Sequence, residues 1–126
     1  MARAAVAAAA IAAALALAAA PAAFADDRVR VSGACGKGAS STLELKADDG
    51  DIEVRFELRH RRAGAAWSLA VVHERRVVWR GTRRMRSGGS LDLRRSVPNF
   101  DGSDAVTVRA LGPRGVTCVA SATLKA

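Results

Sequence analysis

Two histidines, two acidic turns, two cysteines and a run of arginines are the residues of this chain whose chemistry could go beyond packing. His60 and His73 are the only imidazoles in 126 residues. A general base needs a partner within hydrogen-bond reach. His60 sits among Arg59, Arg61 and Arg62, and His73-Glu74 reads as a loop dipeptide at a turn. Glu53 and Glu57 could form a carboxylate pair, but each has a basic neighbour. The sequence holds no Gly-x-Ser-x-Gly elbow, His-Glu-x-x-His helix or phosphate-cradling glycine loop. No catalytic residue is assigned, and the chain reads as a non-enzyme.

Asp48-Asp49-Gly50-Asp51 and Asn99-Phe100-Asp101-Gly102-Ser103-Asp104 look like fragments of calcium loops. Neither offers the roughly six to eight oxygens that calcium takes, and Asp, Asn and Gly make tight turns unaided. No metal or other cofactor is expected. Cys35 and Cys118 are the only cysteines. They have no Cys-x-x-Cys spacing and no clustered His, so a disulfide is the expected pairing over a redox or metal role.

Charge is unevenly spread. Residues 26–58 are net −3, residues 59–95 net +9 and residues 96–126 net +1. The middle third carries Arg59, Arg61, Arg62, Arg75, Arg76, Arg80, Arg83, Arg84, Arg86, Arg94 and Arg95. The functional reading is a surface for a polyanion, such as an acidic polymer of a cell wall or of the extracellular medium. Guanidinium forks suit phosphate and carboxylate better than ammonium groups do. The plain alternative is compositional bias, since the chain has 17 Arg and 3 Lys. Sequence-specific nucleic-acid binding is not expected, because no recognition helix is visible and stacking aromatics are scarce.

These residues must be positioned by strands. After residue 25 the dominant signal is period-two alternation bounded by turn residues. Ile52, Val54, Phe56 and Leu58 point one way; Asp51, Glu53, Arg55, Glu57 and Arg59 point the other. A two-residue turn at Asp49-Gly50 sets Lys46 against Glu53 and Glu44 against Arg55, with Leu45 and Leu43 against Val54 and Phe56. Further strands are read at Val29–Cys35, Trp67–Val72, Val77–Trp79, Leu91–Leu93, Val106–Ala110 and Val116–Ala122. About seven to eight strands with short connections predict an all-β chain, an antiparallel β-sandwich that is immunoglobulin-like in general shape. A closed up-and-down barrel is the alternative. An antibody-type domain fits poorly, because the Cys35–Trp67 spacing is long and there is no Tyr. Trp67 and Trp79 read as core. The face of Trp79 is left open, because a two-residue turn at Glu74-Arg75 sets Val71 opposite Val78 instead.

Residues 1–25 read as a secretory leader. Arg3 supplies the positive start, Ala4–Ala20 the apolar run, and Ala23-Phe24-Ala25 the small-residue cleavage site, with the cut after Ala25. The run is short for a membrane anchor. The expectation is one secreted, soluble domain of residues 26–126 with no transmembrane anchor in its mature form.

A wider pattern joins these pieces: Cys35 with Ser40-Ser41-Thr42, Leu43-Glu44-Leu45-Lys46, Asp49-Gly50-Asp51-Ile52-Glu53-Val54, Gly64 to Trp67, Gly88-Gly89-Ser90 and the late Cys118. It resembles an uncharacterised family of small secreted proteins of high-GC actinobacteria. The resemblance implies a compact secreted β domain and lends no catalytic residue. The functional expectation is a non-catalytic binding or structural domain. Its rivals are a secreted inhibitor or toxin-like effector acting on another protein through the region of Arg83 to Gly89, and a hydrolase built on His60 or His73.

Overall fold

Period-two burial runs through the computed structural model, which describes residues 27–125. The strands are β1 (Arg28–Ser32), β2 (Ala34–Cys35), β3 (Ser40–Asp48), β4 (Asp51–Arg59), β5 (Ala66–His73), β6 (Arg76–Arg84), β7 (Ser90–Pro98), β8 (Asp104–Leu111) and β9 (Thr117–Leu124). A 3-10 turn, Pro113–Gly115, precedes β9. They form two antiparallel sheets, one ordered β1-β3-β4-β7 and the other β2-β9-β8-β5-β6. The expected leader, residues 1–25, lies outside the described residues. No helix among the described residues is long and apolar enough to cross a membrane.

The charges and the turn agree on the β3–β4 register. Asp49 and Gly50 both take positive φ, 45° and 86°, as a two-residue hairpin turn of matching twist requires. Lys46 then faces Glu53, Glu44 faces Arg55, Leu45 faces Val54 and Leu43 faces Phe56. One face of this pair enters the core and the other carries an ionic lattice. A one-residue slip would put either Leu43 and Leu45 or Ile52, Val54 and Phe56 in water, so the register is strongly specified.

The inner faces of the two sheets supply the core. Leu43, Leu45, Ile52, Val54, Phe56 and Leu58 from the first meet Trp67, Leu69, Val71, Val106, Val108 and Ala120 from the second, all essentially fully buried.

Val29 to Cys35 reads as one strand in the sequence, but the chain changes sheet within it. β1 pairs with β3, and β2 pairs with β9. Gly33 sits at the step, where its N–H donates to Ser41 O at 2.9 Å. A Cβ there would run into Ser41 Oγ and lie 3.1 Å from both Ala120 Cβ and Val119 O, so a side chain would crowd the step between the sheets. Cys35 stands directly opposite Cys118 and the two form a disulfide. The bridge spans a sequence separation of 83. On the chain-entropy account, a loop of that size stabilises by about 4–5 kcal/mol.

The barrel alternative is not realised. Gly33 lets the chain join the sheets along one side, but on the opposite side the edge strands β6 and β7 do not pair. Apolar side chains thin out at the inner-face positions of that side. β6 offers Trp79, Gly81 and Arg83, opposite Val71, Leu69 and Trp67. β7 offers Arg95 in phase with Leu91, Leu93 and Val97. The molecule is a sandwich open along β6 and β7.

Candidate binding site at the open side of the sandwich

A bulge decides where Trp79 goes. Glu74 and Arg75 form the two-residue turn, with φ of 50° and 68°, and His73 pairs with Arg76. The register then slips: Val72 pairs with Val77 but Val71 with Trp79, leaving Val78 as the extra residue. Trp79 is thereby turned to the inner face, which uninterrupted pairing would deny it. Its ring lies across Gly81, where a Cβ would stand 2.6 Å from Cη2. Glycine is needed here because the indole occupies the place of a side chain.

Two guanidiniums cover this half-buried indole. Arg83 Cζ is 4.9 Å and Arg95 Cζ 5.0 Å from the ring centroid, within cation–π range. One arginine comes from each sheet, so the contact spans the seam that the backbones leave unpaired. Neither has a carboxylate within ion-pair distance among the described residues. Arg83 also donates to its neighbour Thr82 O at 3.1 Å.

The remaining arginines fall into two groups. On the outer face of the four-stranded sheet, Arg59 pairs with Glu57 at 2.9 Å and Arg94 with Glu53 at 3.3 Å, while Arg86 reaches Asp92 at 3.1 Å. A depression of about 520 Å³ on this face is lined by both signs, including Arg30, Glu44, Arg55 and Asp92. Arg76 and Arg80 stand exposed along β6, with Arg84 donating to Gly64 O at 3.1 Å. Arg75 occupies the adjoining turn, and Arg61 and Arg62 the β4–β5 connection. The +9 segment is therefore split. Its carboxylate-paired members lie on one broad face, and the arginines of β6 with Arg95 line the open side.

The histidines have other roles. His60 is buried edge-on to Trp67, with ring centroids 5.8 Å apart. Its N–H donates to Gly89 O at 3.0 Å and its Nδ1 accepts from Arg62 N at 3.3 Å. His73 differs from the expected loop dipeptide. It closes the inner-face phase of β5 and pairs through Nε2 with Asp104 Oδ1 at 2.8 Å, both side chains 1% exposed. Asp104 Oδ1 also accepts from Phe100 N at 3.2 Å. The Asn99 amide, turned with its nitrogen inward, donates to Asp104 Oδ2 at 2.8 Å. Phe100 stacks flat on the His73 ring, 4.8 Å between centroids.

Glu74 completes a cluster whose ligand-type atoms lie within 4.8 Å of one another. Its Oε1 accepts from Ala105 N at 2.6 Å. These groups already bond one another and the backbone, tying the β5–β6 turn to the start of β8. The sequence signal for the knot was present in phase: His73 continues Trp67, Leu69 and Val71, and Asp104 precedes Val106 and Val108 at the same spacing.

No family model, curated protein or solved structure matches the chain.

Proposed function

We propose that this protein is a small secreted, non-catalytic binding domain that takes an extracellular or cell-wall polyanion along the open side of its sandwich. The carrying observation is the Arg83–Trp79–Arg95 stack. Each cation lies about 5 Å from the ring centroid, so they are at most about 10 Å apart, where like charges repel. The indole holds both in place, and an anion contacting both would relieve the repulsion. Holding the forks in advance lowers the ordering cost of binding. Arg76, Arg80 and Arg84 extend the same positive field along β6. Secretion is supported by the leader read in residues 1–25, by the disulfide, which forms in oxidising compartments, and by the resemblance to small secreted actinobacterial proteins.

The test is a salt titration of binding to inorganic polyphosphate, comparing the protein with the Arg83→Ala/Arg95→Ala double variant. Affinity is expected to fall steeply with salt, at roughly 0.7 log units per log unit of salt for each phosphate contact. The double variant should bind more weakly and lose about 1–2 from that slope. Affinity independent of salt, or an unchanged slope in a folded double variant, would overturn the reading.

A further inference from the structure

We infer that the polyanion is an acidic polypeptide, which adds to β6 as a further strand through Trp79–Arg84. This rests on the reading of the open side as a polyanion site and names its ligand class. β6 is the terminal strand of the five-stranded sheet, paired only with β5. Its other edge presents unpaired backbone N–H and C=O groups, a template for strand addition. Natural edges are usually blunted by bulges, prolines or charged side chains, which repel a strand of like charge. Here the bulge lies at the near end, beside Val78, and leaves Trp79–Arg84 in regular register. β6 contains no Pro and no Asp or Glu, but four Arg. Its charge therefore repels another copy of itself and most basic chains, and selects an acidic one.

The alternation of β6 sets the pattern of the guest. Arg80, Thr82 and Arg84 lie on the outer face of the sheet, opposite Ala70, Ser68 and Ala66. A guest strand would set acidic side chains beside Arg80 and Arg84, where opposite charges on neighbouring strands attract. Its alternate side chains would point toward the seam, beside the Trp79 ring, where an apolar residue fits. A polysaccharide or polyphosphate could use the arginines but not the backbone edge. A polypeptide uses both.

The experiment measures binding of a peptide of alternating Glu and Val, with inorganic polyphosphate as the parallel ligand. Two further peptides carry N-methyl groups on alternate residues, one set for each edge of the guest strand. The expected result is that one methylated peptide binds like the parent. The other should lose about a hundredfold, for roughly three hydrogen bonds at a factor of about five each. Amide exchange should slow at Trp79–Arg84 on binding the parent. Arg80→Glu/Arg84→Glu should lose the Glu-Val peptide and gain a Lys-Val one. Equal binding of all three peptides would overturn the inference, as would failure of the peptide to bind while polyphosphate binds; both outcomes leave the polyanion reading standing. Failure of both ligands at low salt would overturn both.

Discussion

Asp104 shows how a charged side chain is retained in an apolar layer. It occupies an inner-face position of β8, completely buried, where an unpaired carboxylate would be prohibitively costly. Three donors converge on its two oxygens: His73 Nε2, Phe100 N and the Asn99 amide. Replacing it by Ala leaves those donors facing a cavity. Asp104→Ala is expected to cost about 3 kcal/mol, since each buried group left without a partner costs roughly 1–3 kcal/mol. Urea unfolding would measure this, and a loss below about 1 kcal/mol would show that the knot is not structural. Arg83 and Arg95 solve the same problem differently. They occupy inner-face phase on edge strands, but their guanidiniums rest on the Trp79 ring and remain exposed. An arginine stem can cover apolar surface while its head stays in water.

At the scale of elements, the β5–β6 hairpin carries more backbone strain than the β3–β4 hairpin, whose turn is Asp49-Gly50. Both residues of its turn have positive φ, yet neither is Gly or Asn. Glu74 is retained there with a function, since its carboxylate accepts the Ala105 N–H. Arg75 has no such bond among the described residues. Arg75→Gly is therefore expected to stabilise by about 1 kcal/mol, from the relief of a left-handed conformation less the entropy that glycine adds to the unfolded chain. Glu74→Gly should give no gain, because it loses the carboxylate bond from Ala105 N, leaving only the Glu74 N–H bond to Ala105 O. Equal stabilisation by both in urea unfolding would contradict this account. These hairpins also show what the sequence could and could not reveal. The β3–β4 register was legible because Asp-Gly fixes the turn, and Glu44, Lys46, Glu53 and Arg55 choose their partners. The β6 register was not, because nothing in Val77-Val78 marks that the strand carries an extra residue there. One unmarked residue decided whether Trp79 faced the core or the water, and with it whether a site existed. The sheet change at Gly33 was hidden for a similar reason: alternation continues across it, and glycine is favoured there by the close approach of Ser41, Ala120 and Val119.

At the scale of the molecule, the net charge resolves into three surfaces. The outer face of the four-stranded sheet is an ionic lattice in which Glu44 reaches both Arg28 and Arg55, and Glu53 both Arg55 and Arg94. Exposed pairs of this kind contribute little to stability, but they satisfy many arginines locally. The outer face of the five-stranded sheet is rich in small and hydroxyl side chains, such as Ser68, Thr107 and Ser121, with Thr107 and Ser121 in hydrogen-bond contact at 2.8 Å. Along the open side, where the sheets lack backbone pairing, the arginines of β6 and Arg95 have no carboxylate partner among the described residues. A one-dimensional charge count could locate the basic third of the chain but could not divide it, since Arg94 and Arg95 are neighbours in sequence and belong to different surfaces. The central claim is that the open side, and not the basic segment as a whole, receives the anion. Mapping backbone and indole N–H chemical shifts while inorganic polyphosphate is added at low salt tests it most directly. The account predicts that the changes centre on residues 76–84, residues 94–96 and the Trp79 Nε1–H. Changes centred on Arg55 and Arg59, or on the Arg61-Arg62 connection, with the Trp79 signal unmoved, would contradict it.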